Sequence, residues 1–307
     1  MAQGIPSHEV SVGDPFIYAD ASSETYYLYR SSSAHAPLGG VEMLKSRDLQ
    51  TWDGPYQVMD VPKDNWITGT IWAPEVHKWR GKYYLFATVT SDLHWKADHP
   101  GWPAYTYRGT QTFVSRSPEG PFVPLDKSGP IPPMEYMTID GTLWVEDGGP
   151  YMVYCHEWVQ VVDGTMEYVP MSRDLSHATA APKVMFCASS APWNKGYRHG
   201  DDTRYVTDGP FLWRSHTGQL LMIWSGYGAK GYTIGIARSV TGRLSGPWQQ
   251  QAKPLYADHG GHAMIFKDFS GQLRIIYHIW RDKKRYPVIR ELLDEGDTFR
   301  LGDVVAQ

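Results

Sequence analysis

The chain has 307 residues, a formal net charge of -4 and mixed signs along its length, so no basic stripe is available for a phosphate backbone and nucleic acid is excluded as a partner. Aromatic residues reach 14%, with 13 Trp and 20 Tyr, and 30 Gly with 22 Pro imply many turns, which points to an all-β protein with aromatic-lined surfaces. No apolar run approaches the ~18 residues of a membrane span, so no membrane partner is expected.

Met1–Val10 lacks the apolar core of a secretory signal. A soluble monomer is expected, secreted or periplasmic in its native form once a signal is removed, with a cytoplasmic location as the alternative. Cys155 and Cys187 lie among apolar or small residues without metal-ligand spacing and read as free, buried thiols.

The first strand pair runs from Asp14 to Tyr18 and returns over Tyr26–Ser32. The second is Trp72–Trp79, an Arg80-Gly81-Lys82 turn, then Tyr83–Val89. The third runs from Ile139 to Glu146 through Gly148-Gly149-Pro150 and back to Glu157. The fourth pairs Asp208–Trp213 with Leu220–Ser225, and the fifth pairs Gly261–Phe266 with Leu273–His278. Their starts at Asp14, Ala73, Asp140, Asp208 and His262 recur every ~60 residues, the mark of a repeat with variable loops. Further strand-like pieces follow each pair and share turn chemistry, as in Ser46–Trp52, Ser115–Phe122, Ser172–Ser176 and Ser239–Trp248. Each unit therefore holds about four antiparallel strands, the size of a propeller blade. The expectation is a single domain over residues 1–307, a five-bladed β-propeller, with no sustained helical period anywhere. Closure is expected to pair His8–Val12 with Thr298–Val305. The long inserts 91–110 and 189–206 read as loops over a binding face.

In a propeller the innermost strands all begin near the axis at one face, so the residues at their starts converge. Here those are Asp14, the Trp72-Ala73-Pro74-Glu75 corner, Asp140, Asp208 and His262, with Arg30, Thr88, Glu157, Ser225 and His278 near the returning ends. Taken singly each has a plain structural explanation: Asp14 as a turn residue before Pro15, Asp140 as a strand-start cap, Asp208-Gly209 as turn chemistry, His262 and Trp72 as core. Together they form an acid/base set at one mouth, and glycoside hydrolysis needs such a set.

In this order and spacing Asp14-Pro15, Trp72-Ala73-Pro74-Glu75-Val76, Ile139-Asp140, the Gly209-Pro210-Phe211-Leu212 strand and Gly261-His262 resemble glycoside hydrolase family 43, over nearly the whole chain. The resemblance implies a five-bladed propeller that cleaves arabinose- or xylose-containing poly- or oligosaccharides with inversion. It implies Asp14 as general base and Asp140 as the residue that orients the acid and tunes its pKa. The family's acid is a Glu directly before the Gly-Pro pair of the fourth blade, where this chain has Asp208, shorter by a methylene; Glu157 is the alternative acid. By the same resemblance Trp72 would wall the sugar pocket, His262 would lie below it with a structural calcium ion nearby, and Arg281 would bind sugar hydroxyls. No cofactor is required, and no carboxylate cluster has calcium-loop spacing. Trp95, Trp102, Tyr105 and Trp193 would shape outer subsites or pack the loops. The activity expected is an exo-acting α-L-arabinofuranosidase. The alternatives are a β-xylosidase, an endo-arabinanase, a galactofuranose- or galactan-cleaving enzyme, or an inactive carbohydrate-binding propeller.

Overall fold

The structure, a computed structural model, describes residues 4–32, 40–60, 65–96, 103–125, 129–132, 135–199 and 202–307. Five antiparallel sheets make up nearly all of it. Blade one comprises Phe16–Asp20, Thr25–Ser31, Gly40–Ser46 and Thr51–Asp60, and blade two Ile71–Trp79, Lys82–Lys96, Tyr105–Ser115 and Val123–Pro124. Blade three holds Thr138–Glu146, Gly149–His156, Thr165–Pro170 and Lys183–Cys187. Blade four holds Asp208–Arg214, Leu220–Gly228, Gly231–Ser239 and Trp248–Gln250, and blade five Gly260–Lys267, Leu273–Arg281, Lys284–Asp294 and Phe299–Ala306. First strands touch in cyclic order from blade one round to five and back to one, which closes the ring.

The sequence pattern explains why these pieces become blades. Second strands such as Leu220-Leu221-Met222-Ile223-Trp224 are apolar without alternation and buried on both faces, because a neighbouring blade covers each side. Outer strands such as Thr51–Asp60 are largely exposed and carry the polar residues. The core accordingly lies between blades. One cluster joins blades one, two and five through Tyr29, Leu85 and Ile276, and another joins blades three and four through Val153, Phe186 and Trp224.

Several expectations change. Ile5–Pro6 adds a fifth strand to the outer edge of blade one, pairing with Thr51 and Trp52, instead of pairing with the C-terminal strand. Closure instead uses Val12 N–H on Arg285 O at 2.9 Å and Gln50 Nε2–H on Val305 O at 2.7 Å. The termini are still neighbours, since Ile5, Val10, Val305 and Ala306 share one apolar cluster. The insert 91–110 is largely an extension of the blade-two hairpin, and 189–206 contains a small hairpin, Tyr197–His199 with Asp202–Arg204. One helical turn, Trp158–Val161, follows blade three's second strand. Both cysteines are free, but Cys187 is half-exposed where Cys155 is buried, because Cys187 ends an outer strand. Among the described residues no helix is long and apolar enough to cross a membrane.

Candidate active site

Four of the first strands carry the same irregularity. In blades two to five, two residues face one across the ladder: Ala73-Pro74, Asp140-Gly141, Gly209-Pro210 and His262-Ala263. The first residue of each pair is left-handed, with φ of 44°, 59°, 49° and 53°, and Asp14 in blade one matches them at 53°. This bulge turns the strand start toward the axis. It also corrects the sequence register in blade four: the equivalent of Asp14, Asp140 and His262 is Gly209, and Asp208 sits one residue earlier, opposite Ser225. A glycine is needed there, because a Cβ on Gly209 would lie 3.0 Å from the His262 ring.

The amides of four of these five left-handed residues are held by the preceding blade. Asp140 N–H donates to Thr88 Oγ1 at 2.8 Å, His262 N–H to Ser225 Oγ at 2.8 Å, and Asp14 N–H to His278 Nδ1 at 3.2 Å. In blade three the corresponding acceptor position is taken by Cys155, a weak acceptor, and Gly209 N–H donates instead to Asp140 Oδ2 at 2.9 Å. The sequence therefore uses blade three's carboxylate both as a seam bond and as a member of the site.

These starts open into a cavity of about 500 Å³ lined by Asp14, Trp72, Asp140, Glu157, Asp208 and His262, among others. His262 Nδ1 lies 3.3 Å from Asp14 Oδ1 and 3.8 Å from Asp140 Oδ2. Arg285 Nη1 is 3.3 Å from Asp14 Oδ2, and Tyr232 O–H donates to Asp208 Oδ2 at 3.0 Å. Gly261 makes room for that tyrosine, since a Cβ there would overlap its ring. A run of neighbouring rings, Trp158, Tyr197, Tyr227, Tyr232, His278 and Trp280, with centroids 5.3–6.4 Å apart, walls the side formed by blades three, four and five.

Electrostatics divide the carboxyls. Burial would push Asp14 up, but His262 and Arg285 outweigh it and hold it below the usual carboxylate range. His278 is pushed down to about 3 by burial, so at neutral pH it is uncharged. Its Nδ1 accepts the Asp14 N–H, and its 3.6 Å approach to Asp14 Oδ1 is proximity rather than an ion pair. Asp208 is pushed well above the usual range by burial and then by Asp140, and Asp140 likewise by burial and then by Asp14. The cavity thus holds one carboxyl set below its ordinary range and another set above it, the kind of division that acid/base cleavage uses.

Of the residues singled out from sequence, Asp14, Asp140, Asp208, Glu157, Trp72 and His262 come together at this cavity. Glu157 arrives engaged: both its oxygens accept from Arg108 Nη1, at 2.9 and 2.7 Å, and that guanidinium lies over the Trp72 ring at 4.2 Å. Arg281 is not brought in. It stacks on Tyr286 at 4.2 Å and donates to His8 O, because it alternates away from the pocket in a strand whose neighbour Trp280 points into it. The arginine of blade five that reaches the cavity is Arg285, four residues on. Trp95 lies in the blade-two hairpin by its backbone; its side chain, and the whole of Trp102, fall outside the described residues. Tyr105 donates to Gln160 O at 3.4 Å, bracing the turn after Glu157. Trp193 is buried against Trp224, with centroids 4.8 Å apart, and packs the core rather than a subsite.

Arg285, Tyr232, Tyr197, Tyr227 and Trp280 were not legible from sequence as site residues. Most sit on later strands or inserts, whose facing depends on register. Among the described residues no group of three or more His, Cys, Asp or Glu is spaced to hold a metal, and His262 Nδ1 faces Asp14 and Asp140.

Residues 4–295 match the family profile of glycosyl hydrolases family 43. The chain belongs to glycoside hydrolase family 43. Within the family it is similar to an endo-arabinase from Bacteroides thetaiotaomicron VPI-5482, at 35% identity and a TM-score of 0.86, covering 97% of this chain and 100% of that one. It shares its fold with an endo-1,4-beta-xylanase of the same organism, at 24% identity and a TM-score of 0.76, over 99% and 98% of the two chains. It is also 27% identical over 163 residues to the curated xylosidase/arabinosidase 43A of Humicola insolens, a match covering 50% of this chain and 43% of that enzyme. The match thus spans less than half of that relative's length. As a family 43 member the protein is a glycoside hydrolase of inverting mechanism.

Proposed function

We propose that this family 43 enzyme is an exo-acting α-L-arabinofuranosidase that removes terminal arabinofuranosyl units from plant polysaccharide or glycan side chains, Asp14 acting as base and Asp208 as acid. The chemistry rests on that division together with the geometry: Asp14, held below its ordinary range against burial by His262 and Arg285, and Asp208, pushed above it by burial and then Asp140, line one cavity. Asp14 takes a proton from water as the water oxygen bonds to the anomeric carbon. Asp208 gives its proton to the departing glycosidic oxygen as that bond breaks. Asp140, bonded to Gly209 N–H beside Asp208, fixes the acid's strand and resists its ionisation. Glu157 is the weaker candidate acid, since both its oxygens are occupied by Arg108. Exo action is supported by the aromatic wall from Trp158 to Trp280, which leaves the cavity its continuation on the Trp72 side.

Release of p-nitrophenol from arabinofuranoside, xyloside and galactofuranoside, with product analysis on arabinan, tests this reading. Free arabinose as the first product from arabinan is expected, and no turnover on any substrate with sugar binding retained would leave a binding propeller. Asp208→Asn should lose about 10²–10⁴-fold on a poor leaving group and far less on a good one. If Glu157→Gln shows that split instead, the acid is Glu157. An endo-arabinanase is the second reading, favoured by the endo-arabinase similarity and by the cavity's open side. Arabino-oligosaccharides as first products would establish it.

A further inference from the structure

A second cavity, about 550 Å³, adjoins the first and shares Trp72, Trp280 and Arg285 with it. It meets the first cavity at the Trp280 end of the ring wall, and on the reading above it takes the leaving-group side. Its charge is one-sided: Arg30, Lys283, Lys284 and Arg285 line it, and among the described residues no carboxylate does. Two of the four cations are already matched, Arg30 by Glu42 at 2.8 Å and Arg285 by Asp14 at 3.3 Å. Among the described residues Lys283 and Lys284 have no carboxylate partner, so the surplus charge is theirs. Asp282, the adjacent acid, is not part of the lining.

The backbone adds an independent sign. Lys283 closes the blade-five hairpin with φ of 62°, after Asp282 at 50°, a left-handed pair where turns of this type favour Asn-Gly. A lysine there is held in a conformation that glycine would adopt without strain, and it places its charge on the cavity's edge. Ser11, Ser31 and Thr70 line the same space, and Trp280, 51% exposed, stands at the junction with the Arg285 guanidinium over its ring at 5.5 Å, an aromatic and cationic surface for a sugar acid.

We propose that this annex binds a uronosyl carboxylate on the leaving-group side, so that the preferred substrate is an arabinofuranosyl unit borne by an acidic glycan. The proposal rests on the glycosidase reading above and names its acceptor. Two exposed charge contacts are worth about tenfold in selectivity at low salt.

The test uses three oligosaccharides with the same scissile arabinofuranosyl bond: one with a neutral acceptor, one with a uronosyl residue, and one with that residue as its methyl ester, equal in shape but uncharged. The wild-type enzyme should favour the free acid about tenfold in kcat/KM over both others, and 0.5 M NaCl should compress that preference. The double variant Lys283→Gly, Lys284→Gln should lose the preference and keep its rate on the neutral substrate; Lys283→Gly also relieves the turn, so unfolding does not confound it. Equal rates on acid and ester, with both cleaved, overturn the annex alone. A preference that persists in the double variant does the same. If none of the three is cleaved, the activity reading fails, and calorimetry with the uncleaved uronosyl oligosaccharide decides the annex. Salt-sensitive binding lost in the double variant supports it, and absence of binding overturns it.

Discussion

Tyr232→Phe isolates one bond in the site. The tyrosine is buried, and burial followed by Asp208 keeps its hydroxyl protonated and therefore a donor. Its O–H donates to Asp208 Oδ2 at 3.0 Å, while its ring stacks on His278 with centroids 5.6 Å apart. Phenylalanine keeps the stacking and removes the donor alone. That bond favours ionised Asp208, so its loss raises the carboxyl further and moves the alkaline limb of the kcat/KM profile upward in pH. A hydrogen bond to a charged group contributes about 1.5–3 kcal/mol, and at 1.36 kcal/mol per pKa unit the limb should shift up by about 1–2 units. The assay is the pH dependence of kcat/KM on an arabinofuranoside with a poor leaving group, with a good one as reference. The acidic limb, set by Asp14, should stay in place. An alkaline limb that is unmoved or shifts down would refute both the bond's role and Asp208 as the group that titrates there.

Asp14→Asn should lower kcat by about 10²–10⁴-fold while the chain still unfolds cooperatively in urea, at a somewhat lower midpoint because the pairing of ionised Asp14 with His262 and Arg285 is lost; wild-type turnover would remove Asp14 as base. Gly209→Ala places a methyl 3.0 Å from the His262 ring at a φ of 49°, so it should cost about 2 kcal/mol in urea unfolding and reduce activity together. Unchanged stability and activity would show that the ring moves freely there.

The blades were legible because each rests on a local signal, two apolar strands joined by a Gly-containing turn, repeated along the chain. The convergence of Asp14, Asp140 and His262 followed from that repeat. Asp208 was read in register with them because it opens the Asp-Gly-Pro run, but the bulge gives the left-handed place to Gly209. Sequence spacing carries no information about which residue of such a pair turns. Arg285 and Arg281 show the same limit on strand alternation: two arginines four residues apart flank one hairpin turn, and only the paired register decides which reaches the cavity. The closure was misjudged because an outer-edge strand of two residues, Ile5–Pro6, has no pattern of its own.

The bond from Gly209 N–H to Asp140 Oδ2 crosses the joint between blades three and four. On the reading of Asp208 as acid, one atom, Asp140 Oδ2, therefore serves both the seam between these blades and the setting of the acid. A ring that gapes at this joint frees Asp140 from its donor and loosens a neighbour that, after burial, holds the Asp208 carboxyl up. If Asp208 is the acid, activity reports whether the circle is shut. Substrate held across the axis would in turn act as a clasp on the blades it bridges.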